Sequence, residues 1–364
     1  MNTAGAVDGV EAVGIARADH ARQTLTAIWE DLLDTEVGPH DDFFELGGFS
    51  LLAVDVVGAA RRSGLAMRAE DLFEHRTVAS LAAALTAPAA PPPAPVLTAS
   101  DVWRTAASPW DRDAVTCLVP LAPEGRGEPF FLVHVGTGNI RFAEPVVESW
   151  RAGRPFHGFE APGYRGDVRP LISLTAMADR YLLELRELQP HGPYFLGGLC
   201  QGGLVAYEMA RRLRASGAEV RALVLVNPPS QVSLVDPGWG LDELLSFRLA
   251  SLSAQFGLPE PLDPAETLAR IRPLHWYDDA VAPEEFARLQ VLWSAGMFAQ
   301  EHFEILPYDG PVTAFAREEA REEPALYWPR AAPGFEVSWY DARTTHPIMV
   351  DPEVGRRVRE LLTP

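Results

Sequence analysis

The sequence predicts a small all-helical domain joined by a proline-rich segment to a larger domain of alternating strands and helices. Before residue 86, apolar residues recur at helical spacing, and four prolines then fall between Ala87 and Ala94. Beyond residue 115, short apolar runs alternate with amphipathic segments, which is typical of a mostly parallel sheet covered by helices on both faces. We therefore divide the chain into a helical domain at 18–86, an extended linker at 87–114 and an α/β domain at 115–364.

The small domain contains three segments that read as helices. From His20 to Leu33 the apolar residues fall on one helical face. A second helix is predicted from Ser50 to Arg62, and Thr77 is placed to cap a third.

The large domain is interrupted by one long insertion, roughly 230–304, which carries helical patterns of its own. Insertions of that length in compact domains are usually functional, and this one predicts a lid. Strands are predicted at 130–135, 156–160, 194–199, 223–227, 312–316 and 335–340, and helices at 173–188, 201–216, 241–256, 283–300 and 352–362.

Composition and charge narrow the functional classes. The formal net charge of −19 argues against nucleic acid as a partner. Two cysteines make no disulfide framework, the N-terminus lacks the pattern of a secretion signal, and no apolar run reaches membrane-spanning length. We therefore expect a cytoplasmic protein with no membrane partner, and we assign no metal site.

The most informative segment is Gly-Leu-Cys-Gln-Gly-Gly at 198–203, between an apolar strand and an amphipathic helix. This is the context of a G-x-S-x-G nucleophile elbow, with Cys200 in place of serine. The flanking glycines permit a sharp turn that places the nucleophile at the positive end of a helix. That position predicts a reactive thiolate.

A second chemical site is Ser50, which follows Asp-Phe-Phe-Glu-Leu-Gly-Gly-Phe at 42–49. The segment resembles the attachment motif of peptidyl and acyl carrier proteins, and the resemblance extends over 21–85. It implies a four-helix carrier domain whose Ser50 hydroxyl bears 4′-phosphopantetheine. Carriers usually have His or Asp before the serine, whereas this chain has Phe49.

From about residue 118 to the end, the chain resembles the terminal thioesterase domains of nonribosomal peptide synthetases. The resemblance is carried by the Cys200 segment, by Phe-Phe-Leu-Val-His at 130–134 and by the surroundings of His346. It implies an α/β-hydrolase domain with a helical lid and an acyl-enzyme intermediate. The fold class is therefore a small four-helix carrier domain joined to an α/β-hydrolase domain with a lid.

His346 follows the last predicted strand, where α/β-hydrolases place the general base. Related thioesterases end the strand after the nucleophile helix with aspartate, but this chain has Asn227. A Cys-His-Asn set is chemically consistent, because a thiolate itself stabilises the imidazolium and the amide needs only to orient the ring. Glu318 and Glu319, after the next strand, are the alternative acids.

The oxyanion hole is expected to use two backbone N–H groups. One belongs to Gln201, directly after the nucleophile. The other lies in the loop after the first parallel strand, where alignment to the family favours Gly136 and leaves Thr137 as the alternative. His134, at the end of that strand, is interpreted as structural.

These resemblances imply a carrier–thioesterase didomain that ends a synthetase producing a compound such as an antibiotic or siderophore. The peptidyl thioester would pass from the Ser50 arm to Cys200 and leave by macrocyclisation or other acyl transfer. Hydrolysis to the free acid, a decayed docking module and a stand-alone editing hydrolase remain alternatives. The implied partners are a phosphopantetheinyl transferase and the upstream condensation and adenylation domains.

Overall fold

The computed structural model describes residues 4–48, 50–65, 67, 71–72, 75–86, 116–166, 168–229, 235, 238–259, 261–274, 276–277, 280–318, 331–342 and 345–363. The predicted linker at 87–114 lies outside these residues. The described helices include none that is both long and apolar enough to cross a membrane.

The N-terminal part is helical, as predicted. It contains α1 (Ala4–Leu33), α2 (Ser50–Arg62) and α3 (Val78–Thr86), and residues 71–72 are also helical. The first helix begins well before the predicted start at His20. The core of this N-terminal part is built around Trp29 and Phe43, which are fully buried with ring centroids 5.0 Å apart.

The larger part is built on a seven-stranded sheet of order β1-β3-β2-β4-β5-β6-β7. Strand β1 is antiparallel to β3, and the other neighbouring strands are parallel. The strands are β1 (Leu118–Ala122), β2 (Phe130–Val133), β3 (Phe156–Phe159), β4 (Tyr194–Leu199), β5 (Val220–Val226), β6 (Val312–Arg317) and β7 (Phe335–Tyr340). The predicted α/β architecture is confirmed.

Helices cover both faces of the sheet, since β2 to β5 are apolar along nearly their whole length. The helices on one face are α5 (Leu174–Leu188) and α6 (Gln201–Ala215), and those on the other are α4 (Val147–Trp150), α10 (Thr345–Val350) and α11 (Pro352–Leu362). Short 3₁₀ turns lie at Arg141–Val146, Arg272–Leu274 and Pro283–Glu285.

The strand order places a topological switch point between β2 and β4. After β2 the chain moves to β3 on one side, and from there it crosses back to β4 on the other side of β2. Open parallel sheets bind ligands at the carboxyl ends of strands beside such a point. The loop after β2 and the residue after β4 are therefore the expected position of a site.

The insertion contains α7 (Leu241–Phe256), α8 (Pro264–Ile271) and α9 (Phe286–Glu301), of which α8 was not predicted. The chain forms two compact units, Met1–Val96 with Ser233–Asp263, and Leu97–Val232 with Pro264–Pro364. Helix α7 belongs to the first unit because it packs against α2. This grouping differs from the predicted boundary, which placed 230–304 with the larger domain.

Candidate active site

Cys200 lies at a strained turn between β4 and α6. Its backbone has φ 50° and ψ −124°, a conformation that is rare for a residue with a side chain. The Cys200 N–H donates to Val226 O at 2.8 Å, and the Cys200 carbonyl accepts from Gly203 N at 2.8 Å. These two bonds hold the turn between the end of β5 and the first turn of α6.

The glycines around Cys200 are required by close backbone packing. A Cβ at Gly198 would lie 2.2 Å from Gly202 O, and a Cβ at Gly202 would lie 2.0 Å from His134 O. Contacts this short are impossible for real atoms, so the start of α6 can approach the end of β2 only without side chains. The elbow predicted from the sequence is thus explained by the packing of β2, β4 and α6.

The Cys200 thiol has a pKa that burial raises above its usual value. A hydrogen bond from the Gln201 backbone N–H and the positive charge of Arg317 both oppose this rise. Burial thus opposes the thiolate that the helix N-terminus was expected to favour. Desolvation is the largest influence on this pKa, and a neighbouring base would help the thiol to ionise.

Asn227 directly follows β5 with φ 49°, and its N–H donates to Phe315 O at 2.7 Å. The side chain is buried, and Nδ2 donates to Thr345 Oγ1 at 3.2 Å. The amide is thus hydrogen bonded to the residue before His346, a link that the sequence did not indicate.

His346 is the second residue of α10 and is partly buried. The Phe142 ring stands edge-on to its imidazole, with centroids 5.7 Å apart and an interplanar angle of 78°. Through Thr345, Asn227 and Val226, the start of α10 is connected to the Cys200 backbone. The structure therefore brings these predicted residues to one edge of the sheet.

The alternative acids are placed differently. Glu318 comes directly after β6 and is exposed, and Glu319 lies outside the described residues. Arg317, which sequence reasoning missed, is a buried cation at the end of β6, and its charge acts on Cys200. No pattern in the sequence distinguishes this arginine from the surface arginines.

The loop after β2 lies beside the start of α6. A Cβ at Gly136 would be 3.9 Å from Gln201 Cβ, so the two proposed oxyanion residues are neighbours. The loop is closed by a hydrogen bond from Gly138 N to Val135 O at 2.8 Å. Thr137 instead uses its hydroxyl to bind the insertion, donating to Trp276 O at 2.8 Å.

The insertion helix α9 packs over the same edge of the sheet. The Gln201 side chain donates to Gln300 Oε1 at 3.4 Å, and Arg288 donates to Gly163 O and Tyr164 O after β3. The Gln201–Gln300 contact places the end of α9 beside the nucleophile turn.

Ser50 is the first residue of α2. The surroundings of its hydroxyl, and Phe49 before it, lie outside the described part of the chain. The preceding turn is held by the Asp42 carboxylate, which accepts from Phe44 N at 2.8 Å and forms an ion pair with Arg76. A hydroxyl at a helix N-terminus suits attachment of a phosphate-linked group, because the free N–H groups there favour an anion.

Comparison with known proteins identifies the families that the two parts of the chain match. Residues 128–346 match the thioesterase domain model, and residues 23–85 match the phosphopantetheine attachment site model. The chain is 34% identical over 233 residues to malpibaldin synthetase of Mortierella alpina, and 30% identical over 227 residues to chondramide synthase of Chondromyces crocatus. Each match covers 61% of this chain but only 4% and 5% of those much longer proteins.

A solved four-domain nonribosomal peptide synthetase, in its holo form with AMP and glycine, has a similar fold. The TM-score is 0.55 at 23% identity, and the match covers 93% of this chain and 25% of that one.

Proposed function

Because this chain belongs to the thioesterase family and carries a phosphopantetheine attachment domain before its thioesterase domain, we propose that it releases the finished product of a nonribosomal peptide synthetase. It would take the peptidyl chain from Ser50 onto Cys200 and then transfer it to a final acceptor. The observation that supports this proposal is a pair of hydrogen bonds: Cys200 N donates to Val226 O, and Asn227, the next residue, donates to Thr345, which precedes His346.

When attached to Ser50, phosphopantetheine supplies a thiol that bears the peptidyl chain as a thioester. Ser50 anchors this arm at the start of α2, where helix N–H groups favour its phosphate. Tethering of this kind raises the effective concentration of the substrate to about the millimolar range.

His346 acts as the general base in the first step. Since burial keeps the Cys200 thiol protonated, His346 takes the proton as the sulfur attacks the thioester carbonyl carbon. The N–H groups of Gln201 and Gly136 stabilise the negative oxygen. The bond to the leaving thiol then breaks, and His346 returns the proton to that thiol.

Asn227 orients the base through Thr345 rather than by a charge. Its amide fixes the start of α10, on which His346 is the next residue. This indirect arrangement suits a cysteine nucleophile, which needs less help from an ionised third residue than serine does.

Cysteine also favours acyl transfer over simple release. Passing an acyl group from one thioester to another is nearly isoenergetic, so the intermediate on Cys200 stays activated. An internal amine or hydroxyl, deprotonated by His346, can then close a ring and expel the Cys200 thiol. We therefore propose macrocyclisation or a related acyl transfer, with hydrolysis as the competing outcome.

The proposed partners follow from this position in a synthetase. A phosphopantetheinyl transferase would modify Ser50, and condensation and adenylation domains upstream would build the peptide. A reducing cytoplasm is the proposed compartment, and both cysteines are free thiols.

The test is the intact mass of the chain after incubation with a peptidyl-pantetheine thioester, followed by analysis of the product. We expect a Cys200-linked acyl adduct that is lost in Cys200→Ala, and a cyclic or coupled product. Unchanged acylation of Cys200→Ala contradicts the assignment of the nucleophile, and exclusive free acid contradicts the proposed release mode. Ser50→Ala is the matched control, since it blocks loading by the transferase but not acylation from a free thioester.

A further inference from the structure

His134 is a buried histidine whose two ring nitrogens both have partners. Nδ1 lies 2.7 Å from Val135 O, and Nε2 lies 2.8 Å from Tyr181 Oη. Burial lowers the pKa of His134 to about 4, so the ring is neutral at neutral pH and carries a single N–H. Because a carbonyl can only accept, that proton is on Nδ1. The single hydroxyl proton of Tyr181 is then directed to Nε2 at 2.8 Å, the nearer of its two acceptors, the other being Glu160 O at 3.1 Å.

The carbonyl held by His134 belongs to the peptide of the proposed oxyanion loop. Val135 O accepts from His134 Nδ1 and also from Gly138 N at 2.8 Å. In a trans peptide the next N–H points away from the carbonyl, and here that N–H is Gly136. Fixing the Val135 carbonyl on the inner side of the loop therefore fixes the Gly136 N–H on the opposite side.

This peptide needs an external lock, because glycine resists its rotation only weakly. Gly136 allows φ values that other residues avoid, so a flip of the Val135–Gly136 plane is opposed mainly by the hydrogen bonds to Val135 O from Gly138 N and His134 Nδ1. A flipped peptide would present a carbonyl oxygen to a negative oxygen of the substrate. The His134 backbone cannot follow such a movement, since it packs directly against Gly202 in α6.

We propose that His134 and Tyr181 are positioning residues that hold the Gly136 N–H in the orientation required for the oxyanion hole. This inference rests on the proposed function, in which Gly136 stabilises the negative oxygen. Tyr181 is itself well anchored, because it is fully buried and its ring stacks on Phe159 with centroids 4.5 Å apart. The two residues thus connect the rigid α5–β3 packing to a single peptide plane.

A matched pair of substitutions at His134 tests the proposal. The amide nitrogen of asparagine falls near the position of Nδ1 and can still donate to Val135 O, whereas that of glutamine falls near Nε2 and faces Tyr181. Losing one oxyanion donor typically costs about 10²–10³ in kcat. We expect His134→Gln to approach that loss and His134→Asn to retain most of the activity, with KM little changed in both.

Tyr181→Phe removes one hydroxyl while leaving the ring on Phe159. It therefore tests the positioning role of the Tyr181–His134 pair, called the relay below, even if both His134 variants fail to fold. We expect kcat to fall about tenfold, as for the loss of one buried hydrogen bond. Alkylation of Cys200 by iodoacetamide forms no oxyanion, and its rate is expected to match that of the parent. Equal turnover of Tyr181→Phe and parent, a parallel fall in turnover and alkylation, or His134→Gln as active as His134→Asn overturns the proposal.

Failure of the relay is distinguishable from failure of the proposed function. A parent chain that never turns over a peptidyl thioester contradicts the proposed function and leaves the relay to a second measurement. That measurement is the ¹⁵N shift of the His134 ring in the full chain at pH 7, which we expect to show the proton on Nδ1. A proton on Nε2 overturns the relay whatever the activity.

Discussion

Asn227 Nδ2 donates to Thr345 Oγ1 at 3.2 Å, across 118 residues of sequence. The bond joins the turn after β5 to the first residue of α10, and both residues are buried. It therefore couples Asn227, the proposed orienting residue, to the backbone that carries His346. The following predictions begin from this bond.

Thr345→Val removes the acceptor of the Asn227 amide while keeping the shape of the side chain. We expect the free energy of unfolding to fall by about 1 kcal/mol, because the buried amide loses its partner. We also expect kcat to fall, because α10 is no longer fixed beside β5. Urea unfolding and thioester turnover measure the two effects. Thr345→Ser, which keeps the hydroxyl, is the control and should behave as the parent does.

The nucleophile and Asn227 are predicted to be a matched pair. Cys200→Ser alone should lower kcat/KM by up to about 10⁴, because an imidazolium without an ionised partner supports serine poorly. Adding Asn227→Asp should recover at least about tenfold of that loss, since a carboxylate stabilises the imidazolium. Thioester kinetics on the two single variants and the double variant form the measurement. The pairing is wrong if Asn227→Asp raises kcat/KM of the Cys200→Ser variant by no more than it raises kcat/KM of the parent.

Much of this site could be predicted because its signals are local in the sequence. The bounds of β4, β7 and α11 match the prediction at both ends, and the glycines around Cys200 indicated the elbow directly. The Thr345 bond could not be predicted, since it depends on how β5 and α10 meet. The effect of burial on the pKa of Cys200 could not be predicted for the same reason. A helix N-terminus is visible in the sequence, whereas the burial that raises this pKa is created by tertiary packing.

Gly202→Ala is predicted to be strongly destabilising. Its Cβ would lie 2.0 Å from His134 O and 2.8 Å from Val133 O, and both are backbone atoms of the sheet that cannot move aside cheaply. We expect a loss of about 3 kcal/mol or more, at the upper end of overpacking costs, measured by urea unfolding.

Gly203→Ala is the matched control at the next position of the same helix. Its Cβ would meet only the side chain of Pro228, at 3.3 Å. The gain in helix propensity partly offsets that contact, so we expect a change within about 1 kcal/mol. Equal stability of the two variants would contradict the close approach of α6 to β2.

The final prediction concerns the ionisation of Cys200. An ordinary cysteine has a pKa of about 8.5. Because burial raises the pKa of the Cys200 thiol, its thiolate fraction at neutral pH is smaller than that of an ordinary cysteine. The rate of alkylation by iodoacetamide should therefore rise with pH and reach its plateau later than for a free thiol. Mass spectrometry of the alkylated peptide separates Cys200 from the buried Cys117.

Arg317 supplies the matched variants for this measurement. Its positive charge lowers the pKa of Cys200, so Arg317→Gln should move the alkylation profile to still higher pH. Arg317→Lys keeps the charge and should stay close to the parent. A profile for Arg317→Gln that moves to lower pH, or one that coincides with Arg317→Lys, would show that the arginine does not act on the thiol. The expected order instead means that a buried cation at the end of β6 partly offsets the effect of burial on the thiol, and so reduces the work of the proposed base His346.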